Sequence, residues 1–300
     1  MASEISASYI TGNDVFSQWW TSIEAGEKPL RYCCGEGDLS KIHIGPGRVV
    51  LIGGAPGAGK TTLTMQLIVD ALRMDDSLRA CVANVEVSPA TLLDRQLARI
   101  SGIPATRIQN RELSDEFDER LQIARAALES AVGRIAFVSA SFDLQNIASA
   151  ADDFDANIIV LDYIQRIRTG ADETAKAGID RTMDYVRKFA DVGFAIVVVS
   201  AVGRSKDRYG RSSYDSADLS LASFRESSEL EFGADDAYIL AETKDGMLLR
   251  HLKARYSEPH DIALEFHRSC QSFKAIDPFE WIPDANADRT KNLESLWGKA

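Results

Sequence analysis

Residues 54–61 have the sequence Gly-Ala-Pro-Gly-Ala-Gly-Lys-Thr, which fits the phosphate-binding pattern G-x-x-x-x-G-K-[S/T]. The glycines let backbone N–H groups turn toward a phosphate, and the helix that follows offers the positive end of its dipole. Lys60 can reach the β- and γ-phosphates, and Thr61 can give a hydroxyl group to Mg²⁺. We therefore expect a site for ATP and Mg²⁺ whose contact residues are Gly54, Ala55, Pro56, Gly57, Ala58, Gly59, Lys60, Thr61 and Thr62.

The sequence around this loop predicts an α/β fold with a mainly parallel, twisted sheet flanked by helices. The apolar run 48–52 before the loop predicts a strand buried on both faces. Further strands and helices alternate downstream. Strands are predicted at 79–85, 135–138, 158–161 and 195–199, and helices at 61–74, 89–101, 112–132 and 179–190. After residue 235, closely spaced apolar runs leave no room for helices and predict an antiparallel extension, with a hairpin turn at Asp245-Gly246.

Two carboxylates follow predicted strands of this sheet. Asp162 ends the run 158–161 and is the natural residue to hold Mg²⁺. Glu86 follows the strand 79–85 and is placed to activate a water molecule as a general base. Ligands bind at the carboxyl ends of parallel strands, which favours these roles. The alternatives are an Asp that caps a turn and a solvated loop Glu.

Composition and charge exclude several classes of protein. The chain has 300 residues and a formal net charge of -11, so any nucleic-acid site must be a local basic patch. No apolar run approaches the roughly 20 residues that span a bilayer, and residues 1–9 lack a signal-peptide pattern. The four cysteines contain no C-x-x-C pair, and the histidines lie apart without metal-ligand spacing. We expect a cytoplasmic protein with no membrane partner.

Several segments together resemble the C-terminal motor domain of DnaB-type replicative helicases. Residues 85–88 are similar to the family's "EMS" motif and residues 160–165 to its "VIDYLQ" strand. The family's "LRESG…DAD" segment is matched by 224–227 and 232–235, and its "KQRNG" strand end by 252–256. The resemblance runs in order over about residues 30–275. It implies a RecA-like P-loop core that hydrolyses ATP.

The resemblance also implies roles for individual residues. Lys60, Thr61 and Asp162 would hold MgATP, and Glu86 would be the catalytic base. Lys253 and Arg255 would be a trans-acting pair that reaches the γ-phosphate on a neighbouring subunit. ATP would then lie between subunits, which implies a homo-oligomer, a hexameric ring in the family. The alternative is that Lys253 and Arg255 are ordinary charges on an edge strand.

A basic loop follows the strand 195–199, and in the family this region faces the central channel and contacts the DNA backbone. A cationic cluster on an acidic chain suits phosphate contacts with single-stranded DNA without sequence reading. A solvated loop is the alternative. The basic residues of this predicted DNA site are Arg204, Lys206, Arg208 and Arg211.

One departure from the family pattern leaves two functions open. The family carries a glutamine that senses the γ-phosphate where this chain has Ala201, whose side chain forms no hydrogen bond. The leading hypothesis is an ATP-dependent DNA helicase or translocase. The alternative is a non-unwinding RecA-type oligomeric ATPase that acts as a loader, switch or regulator in DNA metabolism, which Ala201, the acidic charge and the lack of a match to the family's collar domain favour.

The chain is expected to divide into three parts. Residues 1–40 form an N-terminal segment, 41–275 the RecA-like ATPase domain and 276–300 a polar tail. Within the first part, 14–20 predict a short linker-like helix capped by Asn13 or Asp14. Its face carries Phe16, Trp19, Trp20 and Ile23, which are costly to expose, so we expect this face to dock on another surface.

Overall fold

The computed structural model describes residues 10–167, 175–203, 205–206, 212–213, 220–224, 228–243 and 246–276. The chain divides into two compact units, Met1–Arg31 and Tyr32–Ala300. The second unit holds the sheet and the helices that pack on it. In the described residues, no helix has both the length and the apolar character needed to cross a membrane.

The described part of the first unit is the helix α1 (Gly12–Glu24). Its N-cap is Thr11, not Asn13 or Asp14 as the sequence suggested. The Thr11 hydroxyl accepts from the Asp14 amide at 3.3 Å, and the Asp14 carboxylate accepts from the Thr11 amide at 3.3 Å. This reciprocal pair satisfies two free helix donors, so the helix begins earlier than expected. The side chains of the predicted docking face are 46–57% exposed: Phe16, Trp19, Trp20 and Ile23.

The second unit is built from helices and strands that alternate along the chain. The helices are α2 (Lys60–Met74), α3 (Pro89–Ser101), α4 (Ala105–Gln109), α5 (Asp118–Val132), α6 (Leu144–Asp153), α7 (Ala175–Asp191) and α8 (Ser228–Gly233). The strands are β1 (Val49–Gly54), β2 (Ala80–Asn84), β3 (Ile135–Phe137), β4 (Ile158–Asp162), β5 (Ala195–Ala201), β6 (Ser205–Lys206), β7 (Ser212–Ser213), β8 (Asp236–Thr243), β9 (Gly246–Ala254), β10 (Ile262–His267) and β11 (Ser272–Ala275).

In the part of the chain that the structure describes, one sheet contains nine strands in the order β11-β10-β9-β8-β1-β5-β4-β2-β3. The strand β1 lies inside this sheet, parallel to both β5 and β8, and all six of its residues are buried. Buried side chains form a core on each face of the sheet, with α2 in one core and α7 in the other. The predicted α/β class with a mostly parallel sheet is confirmed.

The antiparallel part begins one strand later than predicted. The apolar run at Tyr238 was expected to open the antiparallel extension, but β8 is parallel to β1 and antiparallel to β9. The physical reason is α8, which precedes β8 and brings the chain back to the amino-terminal edge of the sheet. Direction therefore reverses between β8 and β9. Of the predicted turn, Asp245 lies outside the described residues.

One predicted helix begins later in the structure, and other helices of the structure were not predicted. The helix predicted at 112–132 begins only at Asp118, since Arg111 has a left-handed φ of 59° and a separate 3-10 turn spans Asp115–Phe117. The helices α4 and α6 were not predicted. Both are short, and α6 is marked mainly by its N-cap Asp143, whose carboxylate accepts from the Asn146 amide at 2.8 Å.

Candidate nucleotide-binding site

The phosphate-binding loop joins β1 to α2 at the carboxyl edge of the parallel strands. Gly59 has a φ of 97°, a left-handed value that favours glycine, and it forms the N-cap of α2. A Cβ atom on Gly59 would lie 2.8 Å from Cζ of Phe273, and one on Gly54 would lie 2.8 Å from the carbonyl oxygen of Leu240. Close packing therefore requires glycine at both ends of this loop.

Lys60 is held over the loop by the loop's own backbone. Its ammonium group donates to the carbonyl oxygens of Gly54 at 2.9 Å and Ala55 at 3.0 Å. Burial lowers the pKa of Lys60, and the nearby carboxylates of Asp162 and Glu86 oppose that shift. The side chain thus lies in the loop with both carboxylates close enough to act on it.

Asp162 meets Thr61 at the end of β4. Burial raises the pKa of the Asp162 carboxyl, while a hydrogen bond from Thr61 and the charge of Lys60 act in the opposite direction. The hydroxyl and the carboxylate predicted to hold Mg²⁺ therefore lie in contact, and both are oxygen ligands of the type Mg²⁺ prefers. Among the described residues, no cluster of three His, Cys, Asp or Glu could hold a metal ion by itself. In this class of site phosphates and water complete the shell.

Asn84 joins the two carboxylate positions, a role that the sequence analysis did not assign. Its Nδ2 donates to Oδ2 of Asp162 at 2.7 Å, and its Oδ1 accepts from the amides of Glu86 at 3.1 Å and Val87 at 2.7 Å. One side chain thereby ties the end of β2 to the end of β4 and shapes the turn that carries Glu86. An Asn two residues before the predicted base was the available signal.

One cavity of about 510 Å³ is lined by Lys60, Thr61, Glu86 and Asp162, whereas Gly54, Ala55, Ala58 and Asn84 are not part of its lining. The exposed side chain of Glu86 is on its wall. The hairpin of β10 and β11 adds a second wall, where Phe266 and Phe273 stack with centroids 4.1 Å apart. The lining residues are Pro56, Gly57, Gly59, Lys60, Thr61, Thr62, Glu86, Val87, Arg95, Asp162, Tyr163, Ala201, Phe266, Arg268 and Gln271. Four of these were not predicted as site residues: Tyr163 lies in the matched segment 160–165 but was given no role, and no short motif marks Arg95, Arg268 or Gln271.

The family model described as "DnaB-like helicase C terminal domain" matches residues 38–275. The chain belongs to this family. A probable plasmid replicative DNA helicase of Chlamydia trachomatis serovar L2 is 24% identical over 249 residues, 80% of this chain and 53% of that protein. The replicative DNA helicase DnaB of Buchnera aphidicola subsp. Schizaphis graminum is 26% identical over 212 residues, 67% of this chain and 44% of that protein. The chain therefore spans about half the length of these curated relatives.

Two solved structures share the fold of this DnaB-like domain. One is an ATPase domain that superposes with a TM-score of 0.76 at 17% identity, covering 90% of this chain and 100% of that one. The other is a DnaB-like replicative helicase, solved in a study of its interactions with primase. It gives a TM-score of 0.75 at 17% identity, covering 92% of this chain and 69% of that one. The RecA-like core of a DnaB-like domain is thus established for this chain.

Lys253 and Arg255 lie near the amino-terminal ends of the parallel strands, opposite the carboxyl ends that carry the cavity. Arg255 follows β9, and its amide donates to the carbonyl of Asp235 at 2.9 Å, next to Val49 at the start of β1. The phosphate-binding loop begins at Gly54, five residues further along β1, or about 16 Å at the rise of a strand. Neither cation lines the cavity of its own protomer.

The remaining positions taken from the family resemblance are the basic loop and Ala201. Arg204, Arg208 and Arg211 lie outside the described residues, as does the side chain of Lys206, so the predicted DNA site stays a sequence-based expectation. Ala201 lines the cavity and presents a methyl group there. Behind it, Gln165 donates to the Ser200 hydroxyl at 2.8 Å and accepts from the Ala201 amide at 3.3 Å.

Proposed function

We propose that this chain is the ATP-driven motor of a DnaB-type helicase or translocase, which hydrolyses MgATP between subunits of a homo-oligomeric ring and moves along single-stranded DNA. One observation carries the proposal: Lys60, Thr61, Glu86 and Asp162 share one cavity, while Arg255 lies at the opposite edge of the sheet. Arg255 therefore cannot reach the nucleotide of its own protomer, and a neighbouring copy can bring it to the γ-phosphate.

The chemistry follows from the placement of these groups. The loop amides and Lys60 bind the β- and γ-phosphates, and Thr61 and Asp162 hold Mg²⁺, which neutralises charge on the phosphates when bound. Glu86 accepts the proton of the attacking water as general base. Arg255 of the next copy stabilises the charge that develops on the transferred phosphoryl group.

Two further features support the proposed ring and its binding of single-stranded DNA. The helix α1 exposes Phe16, Trp19, Trp20 and Ile23, and we infer that this aromatic face packs on the adjacent subunit of a hexamer. The cluster of Arg204, Lys206, Arg208 and Arg211 would bind the phosphates of single-stranded DNA. That part of the proposal rests on the sequence alone.

The direct experiment measures the ATPase rate per protomer against protein concentration, with and without single-stranded DNA. For the parent, the specific rate should rise with concentration as subunits assemble, and it should rise again with DNA. Arg255→Ala should abolish hydrolysis but keep ATP binding. A specific rate independent of concentration, or an active Arg255→Ala variant, would show that the site is complete within one copy.

A second candidate function is an oligomeric ATPase that loads, switches or regulates without unwinding. Ala201 favours it, because a methyl group at that position cannot sense the γ-phosphate. A strand-displacement assay separates the two. Unwinding that stops with Lys60→Ala supports the motor, whereas DNA-stimulated hydrolysis without displacement supports the second function.

A further inference from the structure

A buried carboxylate lies at the amino-terminal edge of the sheet. Asp235 has no solvent exposure. Its Oδ2 accepts from the backbone amide of Val49 at 2.9 Å and from Nη1 of Arg187 at 2.8 Å. The Asp235 amide in turn donates to the Val49 carbonyl at 2.8 Å. These contacts fix the carboxylate to β1 and α7 through one oxygen only.

The other oxygen of Asp235 faces Arg255. Oδ1 lies 2.9 Å from Nη1 of Arg255 in an ionic contact that lacks the alignment of a hydrogen bond. Nη2 of Arg255 donates to the Phe232 carbonyl at 3.1 Å, and 40% of the side chain is exposed. One side of the guanidinium is therefore held, and donors remain for another group on the exposed side.

Lys253 differs from Arg255 in how its donors are used. Its ammonium group donates to three carbonyls at the carboxyl end of α8: Glu231, Phe232 and Ala234. These bonds satisfy free helix carbonyls and suit a cation there. Lys253 thus holds α8 against β9, whereas Arg255 is the member of the pair with capacity for an external anion.

Without Arg255, Asp235 keeps one cation and one backbone donor at Oδ2. A buried carboxylate requires cations or donors around it, and Arg187 with the Val49 amide already supplies both to Oδ2. The contact between Oδ1 and Arg255 is an additional one. It restricts the rotamers of a long side chain at the surface, which lowers the entropy lost when the guanidinium binds an anion.

We propose that Asp235 is a positioning residue for Arg255, which sets the guanidinium in the direction from which it meets the γ-phosphate on the neighbouring copy. This inference rests on the proposed function. Asp235 touches no nucleotide itself. It acts across the subunit boundary, because the ATP whose hydrolysis it affects is bound by the next copy.

The first test is Asp235→Asn, which keeps the shape of the side chain and removes its charge. We expect kcat for ATP to fall by about tenfold or more, as for other losses of orientation. KM should stay unchanged, because the loop and Lys60 that bind ATP before the reaction are left intact in every copy. Asp236→Asn is the matched control. Asp236 is equally buried but binds His251 at 3.1 Å rather than Arg255, so kcat should stay within about twofold of the parent.

The second test mixes the inactive Lys60→Ala variant with the impaired Asp235→Asn variant, and it separates positioning from a folding defect. Lys60→Ala subunits cannot bind and hydrolyse ATP in their own cavity, but they present an intact Arg255. Asp235→Asn subunits keep an intact cavity. A mixture of the two should hydrolyse ATP faster than the sum of the separate proteins. Lys60→Ala mixed with Arg255→Ala serves as the reference for complementation.

The outcomes are distinct. If the reference mixture regains activity and the Asp235→Asn mixture does not, the positioning role is overturned while sites between subunits stand. The same holds if Asp235→Asn raises KM and leaves kcat intact, or if Asp236→Asn lowers kcat as strongly. If neither mixture regains activity, sites between subunits are wrong, and the role of Asp235 falls with them.

Discussion

Asn84 donates a hydrogen bond of 2.7 Å to Asp162, and this contact links the ends of two adjacent strands, β2 and β4. Through its other amide atom, Asn84 also sets the turn that carries Glu86. The proposed base and the proposed Mg²⁺ ligand are thus positioned by one side chain.

Replacement of Asn84 by Ala should lower kcat by about tenfold or more, because misplaced catalytic groups lose rate steeply. It should also lower the free energy of unfolding by about 1–3 kcal/mol, since Asp162 loses a buried donor. Steady-state kinetics and urea unfolding measure the two effects. Asn146→Ala is the control, because its amide bonds the Ser139 and Ser141 carbonyls away from the cavity. Equal loss of kcat in both variants would contradict the role of Asn84.

Much of this site follows from the sequence because it is local. The loop 54–61, the strand before it and the cap of α3 at Ser88 depend on residues close in the chain. The hairpin wall with Phe266 and Arg268 could not be predicted, since it reaches the loop only through the order of the sheet, with β8, β9 and β10 between β1 and β11. The parallel direction of β8 likewise depends on α8, whose six residues give little periodicity.

Arg268 should contribute to binding of the nucleobase. Its guanidinium lies 5.0 Å from the Phe266 ring, which stacks on Phe273, and both Phe266 and Arg268 line the cavity. A cation beside an aromatic face suits stacking of a planar base. Arg268→Ala should raise the Kd for ATP by about three- to thirtyfold and leave binding of inorganic triphosphate unchanged. Fluorescence titrations with both ligands test this.

Arg73 on α2 offers a matched Arg-to-Ala control for this titration. It pairs with Asp70 at 3.5 Å and lies outside the cavity. Arg73→Ala should therefore change the affinity for neither ligand. If Arg268→Ala weakens triphosphate as much as ATP, the residue binds phosphate and not the base.

Asp162 should cost stability at neutral pH, because burial raises its pKa. A raised carboxyl pKa means that the folded state binds the proton more tightly, so stability is gained as the pH falls through the folded pKa toward the ordinary value of 3.8. Asp162→Asn mimics the protonated group. We expect this variant to be more stable than the parent at pH 7, with an advantage that shrinks as the pH falls, and to hydrolyse no ATP.

The lowered pKa of Asp143 predicts the opposite dependence of folding stability on pH. Its carboxylate caps α6, and hydrogen bonds from Ser141 and the Asn146 amide lower its pKa. Its contribution is present above the ordinary value of 3.8 and is lost as the pH falls through the lowered folded pKa. Asp143→Ala should therefore be less stable than the parent at pH 7, with a smaller deficit in acid. Urea unfolding across pH for both variants measures the two slopes, and slopes of the same sign would contradict the assignment for Asp162.

Ala201 should limit how well the cavity distinguishes ATP from ADP. Its methyl group lies at the wall where β5 ends, and Gln165 bonds the backbone there instead of the ligand. Ala201→Gln adds a donor that can reach the γ-phosphate, and one hydrogen bond to a charged group is worth about 1.5–3 kcal/mol. The ratio of Kd for ADP to Kd for ATP should rise by about tenfold or more. Ala201→Leu adds bulk without a donor, so a similar rise in that variant would show that packing, and not the amide, causes the change.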